Sequence, residues 1–600
     1  MRSVRAYDVN GPATLIDLIS EALAAPRERV LEERLPGQAW QSLTSDRVRE
    51  RVRDVACALR DAGIARGDRV GILSQNRVDW LICDYGIFFA GAVSVPMYAT
   101  LADDQVAFII RDAGIRLMFV ETHAQAQKIH ALCTASIRVI TFDGDDVDSL
   151  QRFETGGTTL GRDASEAAHA MEPAIAADEL ALLMYTSGTT GEPKGVMLTH
   201  GNLASNVVAA YASERDELRP DDIAFSVLPF AHVYEHTNAL GFLFLRLTHV
   251  ISVPDRLLDD IREARPRVAA FVPRIFERVL NGVVARARAD GGVRARLVPW
   301  SLAAARAHAR AHADGRSPPP LLTLRYALAR ALVLRKLKAA LGLERISHLV
   351  SGSAPLPRDI GLTFAGAGVP VCEGYGLTET SPVVSVNRVG TIRYGSVGKP
   401  LPGVEVRIAD DGEILVCGPN VMRGYYRREA DAPFVDGRWF ATGDIGRLDA
   451  DGYLWIVDRK KDLFKTTGGK WISPARLEAA IKRSPYVGQA VVVGANHPHP
   501  AALIAPAWDV VRRGHGLPDD TATKDIAARE DVRRHVAAEV FRATAALASH
   551  EQVRRVALLP RDLTLEDGEL SPTLKIKRRV VEARYANLIE AAFSEPASFP

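Results

Sequence analysis

The sequence has few cysteines, no long uninterrupted run of apolar residues and almost no net charge. Its five cysteines among 600 residues are scattered and form no C-x-x-C pair, so neither a disulfide framework nor a zinc site is predicted. The N-terminus lacks the apolar segment that a secretory signal needs, and the most apolar stretches, 80–99 and 239–253, contain charged residues. The pattern predicts a cytoplasmic protein and leaves peripheral association with the inner face of a membrane open.

Acidic and basic residues nearly balance, because 75 Lys and Arg stand against 73 Asp and Glu. A net charge of +2 gives no overall field that would attract nucleic acid, and no nucleic-acid partner is predicted. The composition, 47% hydrophobic and 25% charged, excludes a disordered or fibrous chain. Six hundred residues exceed what one core normally holds, so at least two domains are expected.

The first 180 residues alternate helical patterns with short apolar strands, as in 47–62 followed by 69–73. Such alternation predicts an α/β fold with mostly parallel sheets flanked by helices. A helical tract at 277–343 contains a segment rich in Arg and Ala and is predicted to be a surface insertion. This segment lacks the aromatic residues, spaced between the basic ones, that binding of single-stranded nucleic acid would require.

The second half of the chain changes character. Residues 400–457 contain three Asp-Gly dipeptides, which are typical of tight turns and predict a small barrel-like part made of β-strands. A charge run and two glycines at 460–470 indicate a hinge. We therefore expect a large N-terminal domain at 1–459 and a small, mobile α+β domain at 460–600.

The stretch MYTSGTTGEPKG, residues 184–195, surrounds one lysine with three glycines and four Ser or Thr residues. A buried strand is predicted before it, and a strand end followed by a helix start is predicted after it. A strand, a glycine-rich turn and a helix can direct backbone N–H groups at an anion, and Lys194 adds charge. The spacing is not that of a Walker A motif. A flexible linker is the alternative.

Five further stretches contain residues suited to chemistry. Taken singly, each has a plain structural explanation, such as a core histidine at 232 or a solvated basic face in KIKRR. A calcium loop at Asp449 and Asp451 is excluded, because no glutamate follows at the twelfth position. The stretches are VLPFAHVYEHT (227–237), SGSAPLP (351–357), CEGYGLTETSP (372–382), WFATGDIGRLDADGYLWIVDRKKDLFKTTGGKWISP (439–474) and ELSPTLKIKRR (569–579).

Together and in this order, the motifs resemble the adenylate-forming (AMP-binding) superfamily over nearly the whole chain. Y-T-S-G-T-T-G-x-P-K-G resembles its AMP-binding signature, and Y-G-x-T-E, T-G-D and D-R-K-K-D-x-x-K resemble its other motifs. LPFAHVYE, VPRIFERV, the helical insertion and SPTLKIKRR are most similar to long-chain fatty acyl-CoA synthetases. The resemblance implies that a fatty acid attacks the α-phosphate of ATP, and that coenzyme A then displaces AMP from the acyl-adenylate.

The resemblance also implies the residues of the site, with Mg²⁺ as cofactor and ATP and CoA as co-substrates. Thr186 and Glu379 would hold Mg²⁺, His232 would lie near the acyl carboxylate, and Lys575 would be the catalytic lysine; these four form the predicted catalytic set. The predicted nucleotide-binding residues are Thr186, Ser187, Gly188, Thr189, Thr190, Gly191, Lys194, Ser353, Ala354, Glu373, Gly374, Tyr375, Gly376, Thr378, Asp444 and Arg459.

A second set of residues is implied for the thioester step. The small domain would rotate about Lys461, and the predicted path of CoA passes Lys465, Gly468 and Gly469. Leu574 stands where the common family pattern has glycine, which leaves Lys577 as an alternative to Lys575. The apolar stretch 239–247 beside His232 is predicted to line a deep tunnel for the acyl chain.

Three other functions stay open at this point. A relative could pass the acyl group to a carrier protein, or could activate another carboxylic acid. A non-catalytic sensor is disfavoured, because Lys575, Glu379, Thr186 and Asp444 are all present. The sequence does not predict an oligomeric state.

Overall fold

The computed structural model describes residues 14–35, 37–133, 137–144, 147–163, 175–187, 193–428, 431–570 and 576–594. The chain divides into two compact units. The first comprises Met1–Arg407, Leu415–Thr442 and Leu448–Trp455, and the second comprises Ile408–Ile414, Gly443–Arg447 and Ile456–Pro600. The predicted large N-terminal and smaller C-terminal parts are confirmed, whereas a domain boundary between residues 459 and 460 stays a prediction.

Strands occur in both units. In chain order they are β1 (Leu31–Glu33), β2 (Gln41–Leu43), β3 (Arg69–Ser74), β4 (Val93–Tyr98), β5 (Leu117–Val120), β6 (Arg138–Thr141), β7 (Leu180–Ser187), β8 (Pro193–Thr199), β9 (Ile223–Ser226), β10 (Thr248–Ile251), β11 (Val268–Phe271), β12 (His348–Ser351), β13 (Val371–Gly376), β14 (Val383–Val386), β15 (Lys399–Pro400), β16 (Glu405–Ile408), β17 (Glu413–Cys417), β18 (Gly424–Tyr425), β19 (Phe434–Val435), β20 (Trp439–Leu448), β21 (Leu454–Arg459), β22 (Phe464–Lys465), β23 (Trp471–Ile472), β24 (Val487–Val493), β25 (Ala501–Pro506) and β26 (Arg555–Leu558).

Helices alternate with these strands in the first unit and are interspersed with them in the second. In chain order they are α1 (Leu15–Leu23), α2 (Ser45–Asp61), α3 (Val78–Phe89), α4 (Asp103–Ala113), α5 (His123–Leu132), α6 (Leu150–Asp163), α7 (His200–Tyr211), α8 (Val233–Phe244), α9 (Leu257–Ala264), α10 (Pro273–Asp290), α11 (Gly292–Ala313), α12 (Pro320–Ala329), α13 (Arg335–Ala340), α14 (Arg358–Gly366), α15 (Pro474–Ile481), α16 (Trp508–Gly514), α17 (Thr523–Ala528), α18 (Glu530–Thr544), α19 (Arg578–Arg584) and α20 (Ala586–Ser594).

Two large sheets organise the first unit. The nine-stranded sheet has the order β15-β14-β13-β12-β11-β9-β10-β1-β2, and its six strands from β13 to β1 run parallel. The seven-stranded sheet has the order β18-β8-β7-β4-β3-β5-β6, in which β7 to β6 run parallel and β8 pairs antiparallel with both of its neighbours. The predicted mostly parallel α/β architecture is confirmed.

The central strands are apolar on both faces because helices cover both sides of a parallel sheet. Ile72 in β3, Val95 in β4 and Phe119 in β5 are all fully buried. Gly71 allows the neighbouring strand to pack closely, since a Cβ added there would lie 2.8 Å from the Met118 side chain. Because both faces of these strands are buried, their sequences are continuous apolar runs and do not alternate between apolar and polar residues.

Helices on these sheets differ in how much of their surface is buried. α2 begins at a Thr44 side chain that accepts a hydrogen bond from the Arg47 amide, and it buries Val48, Val52 and Leu59 on one face. α3 and α8 are instead buried on nearly every side. The amphipathic helix lies at the surface, and the two apolar helices lie in the core.

The Arg- and Ala-rich tract forms a helical insertion, as predicted, built from α10, α11, α12 and α13. Gly291, with a positive φ of 69°, separates α10 from α11, and Gly292, the first residue of α11, has a φ of 58°. Among the described helices, none combines the length and the apolarity needed to cross a bilayer.

The predicted β-rich part at 400–457 contains the strands β16 to β20, with β15 and β21 at its two ends. In the second unit, β24, β25 and β26 form a three-stranded sheet. Helices α15 and α18 pack on it through a core that includes Leu477, Val536 and Ile504. The α+β character of the C-terminal part is therefore confirmed.

Candidate active site

The glycine-rich loop connects two antiparallel strands. Thr186 in β7 is opposite Lys194 in β8, and Ser187 is opposite Pro193. Strand β8 pairs on its other side with β18, and α7 begins only at His200. The strand end and the helix start that the sequence predicted after the loop are therefore confirmed, because β8 runs to Thr199 and α7 follows it directly. The predicted residues Gly188, Thr189, Thr190 and Gly191 lie outside the described residues.

Lys194 is held at the base of this loop by two neighbours. Its Nζ lies 3.0 Å from Asp431 Oδ2 and 5.0 Å from the centroid of the Tyr425 ring. Only 18% of the Lys194 side chain is exposed. The charge that the sequence placed next to the loop is thus oriented by a carboxylate and an aromatic face.

Glu379 contacts the hydroxyl group of the same tyrosine. The Tyr425 hydroxyl donates a hydrogen bond of 2.9 Å to Glu379 Oε1, and the Met422 amide donates to the Glu379 carbonyl at 2.8 Å. Burial, with the negative charge of Glu379, raises the pKa of Tyr425 above its ordinary range. The structure therefore brings Lys194, Tyr425 and Glu379 together, with Thr186 across the hairpin from Lys194.

A second group of predicted residues gathers where β12 and β13 end. These strands are parallel, with Ser351 opposite Glu373, and the Ser353–Ala354 turn follows β12. The Leu356 amide donates to Glu373 Oε1 at 2.8 Å, which joins the turn to β13. Burial raises the pKa of Glu373 to about 8. The carboxyl ends of parallel strands are the usual ligand-binding edge of such a sheet.

The glycines around Tyr375 have different structural reasons. A Cβ at Gly376 would lie 1.7 Å from the Pro382 carbonyl oxygen, so only glycine fits there. A Cβ at Gly374 would lie 3.3 Å from the Ser385 carbonyl oxygen, which is tight but less severe. Tyr375 between them is half-buried, and Thr378 begins the 3-10 turn that contains Glu379.

His232 precedes α8 and caps it. Its Nδ1 accepts a hydrogen bond of 3.1 Å from the Tyr234 amide. A Cβ at Gly352 would lie 2.8 Å from the Tyr234 ring, and the Thr237 hydroxyl donates to the Ser381 carbonyl at 3.3 Å. The start of α8 is therefore packed beside the turn at 351–357 and the segment after Glu379.

The stretch 239–247 packs into the main core of the first unit. Leu240, Phe242 and Leu243 are fully buried there, and the Tyr211 ring covers Gly241 so closely that a Cβ would lie 2.3 Å from it. Packing among the described residues accounts for this apolar run, and an acyl tunnel lined by it stays a prediction.

Asp444 and Arg459 form an ion pair within the second unit. Arg459 Nε lies 3.0 Å from Asp444 Oδ1. The Asp444 side chain is 6% exposed, whereas that of Arg459 is 46% exposed. The carboxylate is thus oriented by a guanidinium that itself faces solvent.

The predicted hinge and CoA-path residues also belong to the second unit. Lys461 is exposed in the turn after β21, and Lys465 is opposite Trp471 in the β22–β23 hairpin. A Cβ at Gly468 would have the Thr466 hydroxyl at 3.8 Å as its nearest neighbour, and one at Gly469 would meet nothing within 4 Å. Neighbouring atoms therefore do not require glycine at either position, although Gly469 has a φ of 73°.

Of the two candidate lysines, Lys575 lies outside the described residues. Leu570 and Ile576 form an antiparallel bridge, and the Lys577 amide donates to the Glu569 carbonyl at 2.8 Å. Lys577 is half-buried just before α19.

Comparison with known proteins identifies the family. Residues 21–426 match the family model described as AMP-binding enzyme. The chain belongs to the AMP-binding enzyme family. Residues 461–597 of this AMP-binding enzyme also match the model described as AMP-binding enzyme C-terminal domain.

The relatives of the enzyme include named ligases. It is 36% identical over 581 residues to the long-chain-fatty-acid–CoA ligase FadD15 of Mycobacterium bovis, with 94% of each chain covered. It is 33% identical over 583 residues to the peroxisomal long chain acyl-CoA synthetase 7 of Arabidopsis thaliana, covering 89% of this chain and 79% of the relative. The adenylation domain of a carboxylate reductase from Mycobacterium chelonae has the same fold, with a TM-score of 0.73 and 22% sequence identity. The match covers 98% of this chain and 92% of that domain.

Two residues near the loop of this AMP-binding enzyme were not predicted from the sequence. Tyr425 reaches Glu379 only because β18 pairs with β8. Asp431 lies 237 positions from Lys194 in the chain. Neither belongs to a motif, and the short segment Gly424–Tyr425 carries no pattern that would have indicated its pairing.

Proposed function

We propose that this AMP-binding enzyme is a long-chain fatty acid–CoA ligase. It would convert a fatty acid, ATP and CoA into acyl-CoA, AMP and pyrophosphate. The observation that carries this proposal is the 36% identity to a long-chain-fatty-acid–CoA ligase across 94% of both chains. The side chains gathered around the loop and at the ends of β12 and β13 suit the chemistry of the first step.

The first step needs positioning and charge neutralisation rather than a general base. A free carboxylic acid such as the Glu side chain has a pKa of about 4.3, so a fatty acid is likewise ionised at neutral pH and its carboxylate can attack the α-phosphate directly. The loop from Thr186 to Lys194 would hold the β- and γ-phosphates through its amides and hydroxyls. Lys194, now paired with Asp431 at 3.0 Å, would exchange that partner for a phosphate.

Magnesium would enter bound to ATP. Mg²⁺ prefers oxygen ligands and usually takes one or two carboxylates together with substrate phosphates and water. Glu379 offers a half-buried carboxylate oriented by Tyr425, and Thr186 offers a hydroxyl. Within the described ranges, no group of three or more His, Cys, Asp or Glu side chains could hold a metal ion. The donors present therefore fit an ion that phosphates help to bind.

The adenosine and the acyl carboxylate would occupy the remaining positions. Tyr375 would stack on adenine, bordered by Glu373, Gly374, Gly376 and Thr378 and by the Ser353–Ala354 turn. Asp444, whose other side is held by Arg459 at 3.0 Å, would accept hydrogen bonds from the ribose hydroxyls. His232, fixed by its cap to α8, would lie near the acyl carboxylate.

The second unit would act differently in the two steps. Lys575 would neutralise charge on the α-phosphate and the carboxylate during adenylation. Rotation about Lys461 would then replace it with the β22–β23 hairpin. The open space beside Gly468 and Gly469 supports a close approach of the pantetheine arm along this hairpin, next to Lys465. The reaction would take place in the cytoplasm.

A direct comparison of acceptors tests this proposal. The purified enzyme is given palmitate, ATP and Mg²⁺ with either free CoA or a phosphopantetheinylated acyl carrier protein, and both thioesters are quantified by mass spectrometry. We expect palmitoyl-CoA as the main product. Transfer to the carrier protein with no palmitoyl-CoA would assign the enzyme to the acyl-AMP ligases that load carrier proteins.

A further inference from the structure

One face of the helical insertion exposes four leucines in a row. Leu321, Leu324, Leu328 and Leu332 have relative exposures of 60%, 58%, 48% and 50%. Their spacing of three, four and four residues places them on one side of α12 and of the π-helical turn Arg330–Leu334 that continues it. We name these four residues the leucine face.

The insertion does not need this face for its own packing. Ala329 and Leu334 are buried in a small core with Leu302 and Ala305 of α11. Tyr326 packs against the same core and stacks on His308 with ring centroids 4.0 Å apart. The buried side of α12 is therefore fully packed against the insertion itself. The four leucines form a separate, exposed apolar surface, and exposed apolar surfaces of this kind mark interaction sites.

Basic residues border the leucine face, and acidic residues are absent from the segment. Residues 320–343 contain no Asp or Glu. Arg325 lies four positions after Leu321, Arg335 lies three after Leu332, and Lys336 follows it; all three basic side chains are exposed. None of them forms an ion pair with a residue that the structure describes.

We propose that the leucine face docks on an anionic lipid surface. The leucines would enter the boundary between headgroups and acyl chains, while Arg325, Arg335 and Lys336 would contact lipid phosphates. This combination of an apolar stripe with bordering Lys and Arg is what holds a helix in the plane of a membrane interface. The docking surface does not depend on the proposed ligase activity.

A second copy of the chain suits this surface less well. A twofold contact would place the same patch on both subunits. Both subunits would then bring Arg325, Arg335 and Lys336 to the contact, without any carboxylate in 320–343 to pair with them. Lipid phosphates supply the charge that a symmetric contact lacks.

Vesicle binding of the full-length enzyme tests the proposal. Wild-type protein is sedimented with sucrose-loaded vesicles of phosphatidylcholine alone or of phosphatidylcholine and phosphatidylglycerol at a ratio of about 7:3. We expect binding to the anionic vesicles that weakens as salt is raised. Leu324→Gln with Leu328→Gln, and separately Arg325→Gln with Arg335→Gln, should each lower the partition coefficient at least ~10-fold.

The matched control is Leu258→Gln, because Leu258 is 45% exposed on α9, outside the leucine face. It should bind vesicles like the wild type. Thermal unfolding identifies any variant that fails to fold, and single substitutions at Leu321 or Leu332 then replace it. Equal vesicle binding by wild type and both double variants, or no binding by wild type, would overturn the proposal. So would a dimer, seen by light scattering, that the leucine variants abolish.

Discussion

Replacing Tyr425 by phenylalanine tests whether this residue positions Glu379 for magnesium. The change removes the hydroxyl that donates to Glu379 Oε1 at 2.9 Å. It keeps the ring that lies 5.0 Å from Lys194 Nζ. Because Tyr425 is buried and Glu379 is half-buried, the substitution separates orientation of the carboxylate from packing around the lysine.

The expected magnitude follows from the type of hydrogen bond. A bond to a charged group contributes about 1.5–3 kcal/mol, and water can replace part of it at a half-buried carboxylate. We therefore expect a loss near the lower end, about 10-fold in kcat/KM for adenylation. Glu379→Gln, which removes the charge itself, should cost at least ~10²-fold.

ATP–pyrophosphate exchange measured against Mg²⁺ concentration provides the readout. Tyr425→Phe should shift the Mg²⁺ concentration for half-maximal exchange upwards, and high Mg²⁺ should restore most of the rate. Tyr426→Phe is the matched control, because Tyr425 belongs to the main core of the first unit whereas Tyr426 packs against a different apolar cluster. An unchanged Mg²⁺ dependence with a lower maximal rate would refute the positioning role, as would full activity at all Mg²⁺ concentrations.

Three further predictions concern the lysines, a buried carboxyl group and the hinge. Lys575→Ala should lower ATP–pyrophosphate exchange ~10²-fold or more, while preformed acyl-adenylate and CoA still react. Lys577→Ala should leave the rates of both half-reactions within about tenfold of wild type. If the two variants show the opposite phenotypes, Lys577 is the catalytic residue. Burial raises the pKa of Glu235 to about 8. The folded protein therefore keeps a proton on Glu235 that the unfolded chain loses above about pH 4.3. Because of this difference, Glu235 lowers the free energy of unfolding as the pH rises towards 8. Glu235→Gln should therefore raise Tm relative to wild type more at pH 8 than at pH 5, and equal shifts at both pH values would contradict this. Lys461→Pro should preserve pyrophosphate exchange and impair thioester formation, whereas equal loss of both would argue against a hinge.

Much of the fold could be predicted because its signals are local. The parallel strands and helices of the first unit follow from apolar runs such as β3, which alternate with amphipathic segments such as α2. The helical insertion was equally readable from its composition. These patterns depend on side-chain spacing within one element, which the sequence displays directly.

Contacts around the candidate site were less predictable because they depend on register between distant segments. Lys194 meets Asp431, and Tyr425 meets Glu379, through the pairing of β7, β8 and β18. A two-residue strand such as β18 has no periodicity that would indicate its partner.

The glycines of the motifs illustrate a second limit. Gly376 is required by a carbonyl oxygen that would lie 1.7 Å from an added Cβ, whereas the surroundings of Gly468 are open. The sequence does not distinguish these two glycines, because both lie within motifs. Only the positions of neighbouring atoms separate a glycine needed for packing from one that leaves room for a ligand.

The central claim is that the enzyme activates long-chain fatty acids, and a panel of acids tests it most directly. AMP release with ATP, Mg²⁺ and CoA is measured for acetate, benzoate and saturated acids from about C6 to C18, each over a range of concentrations. Because each buried CH₂ contributes about 0.8 kcal/mol, we expect kcat/KM to rise with chain length and to be highest at roughly C12 or longer. A higher kcat/KM for acetate or benzoate than for these long chains would contradict the account.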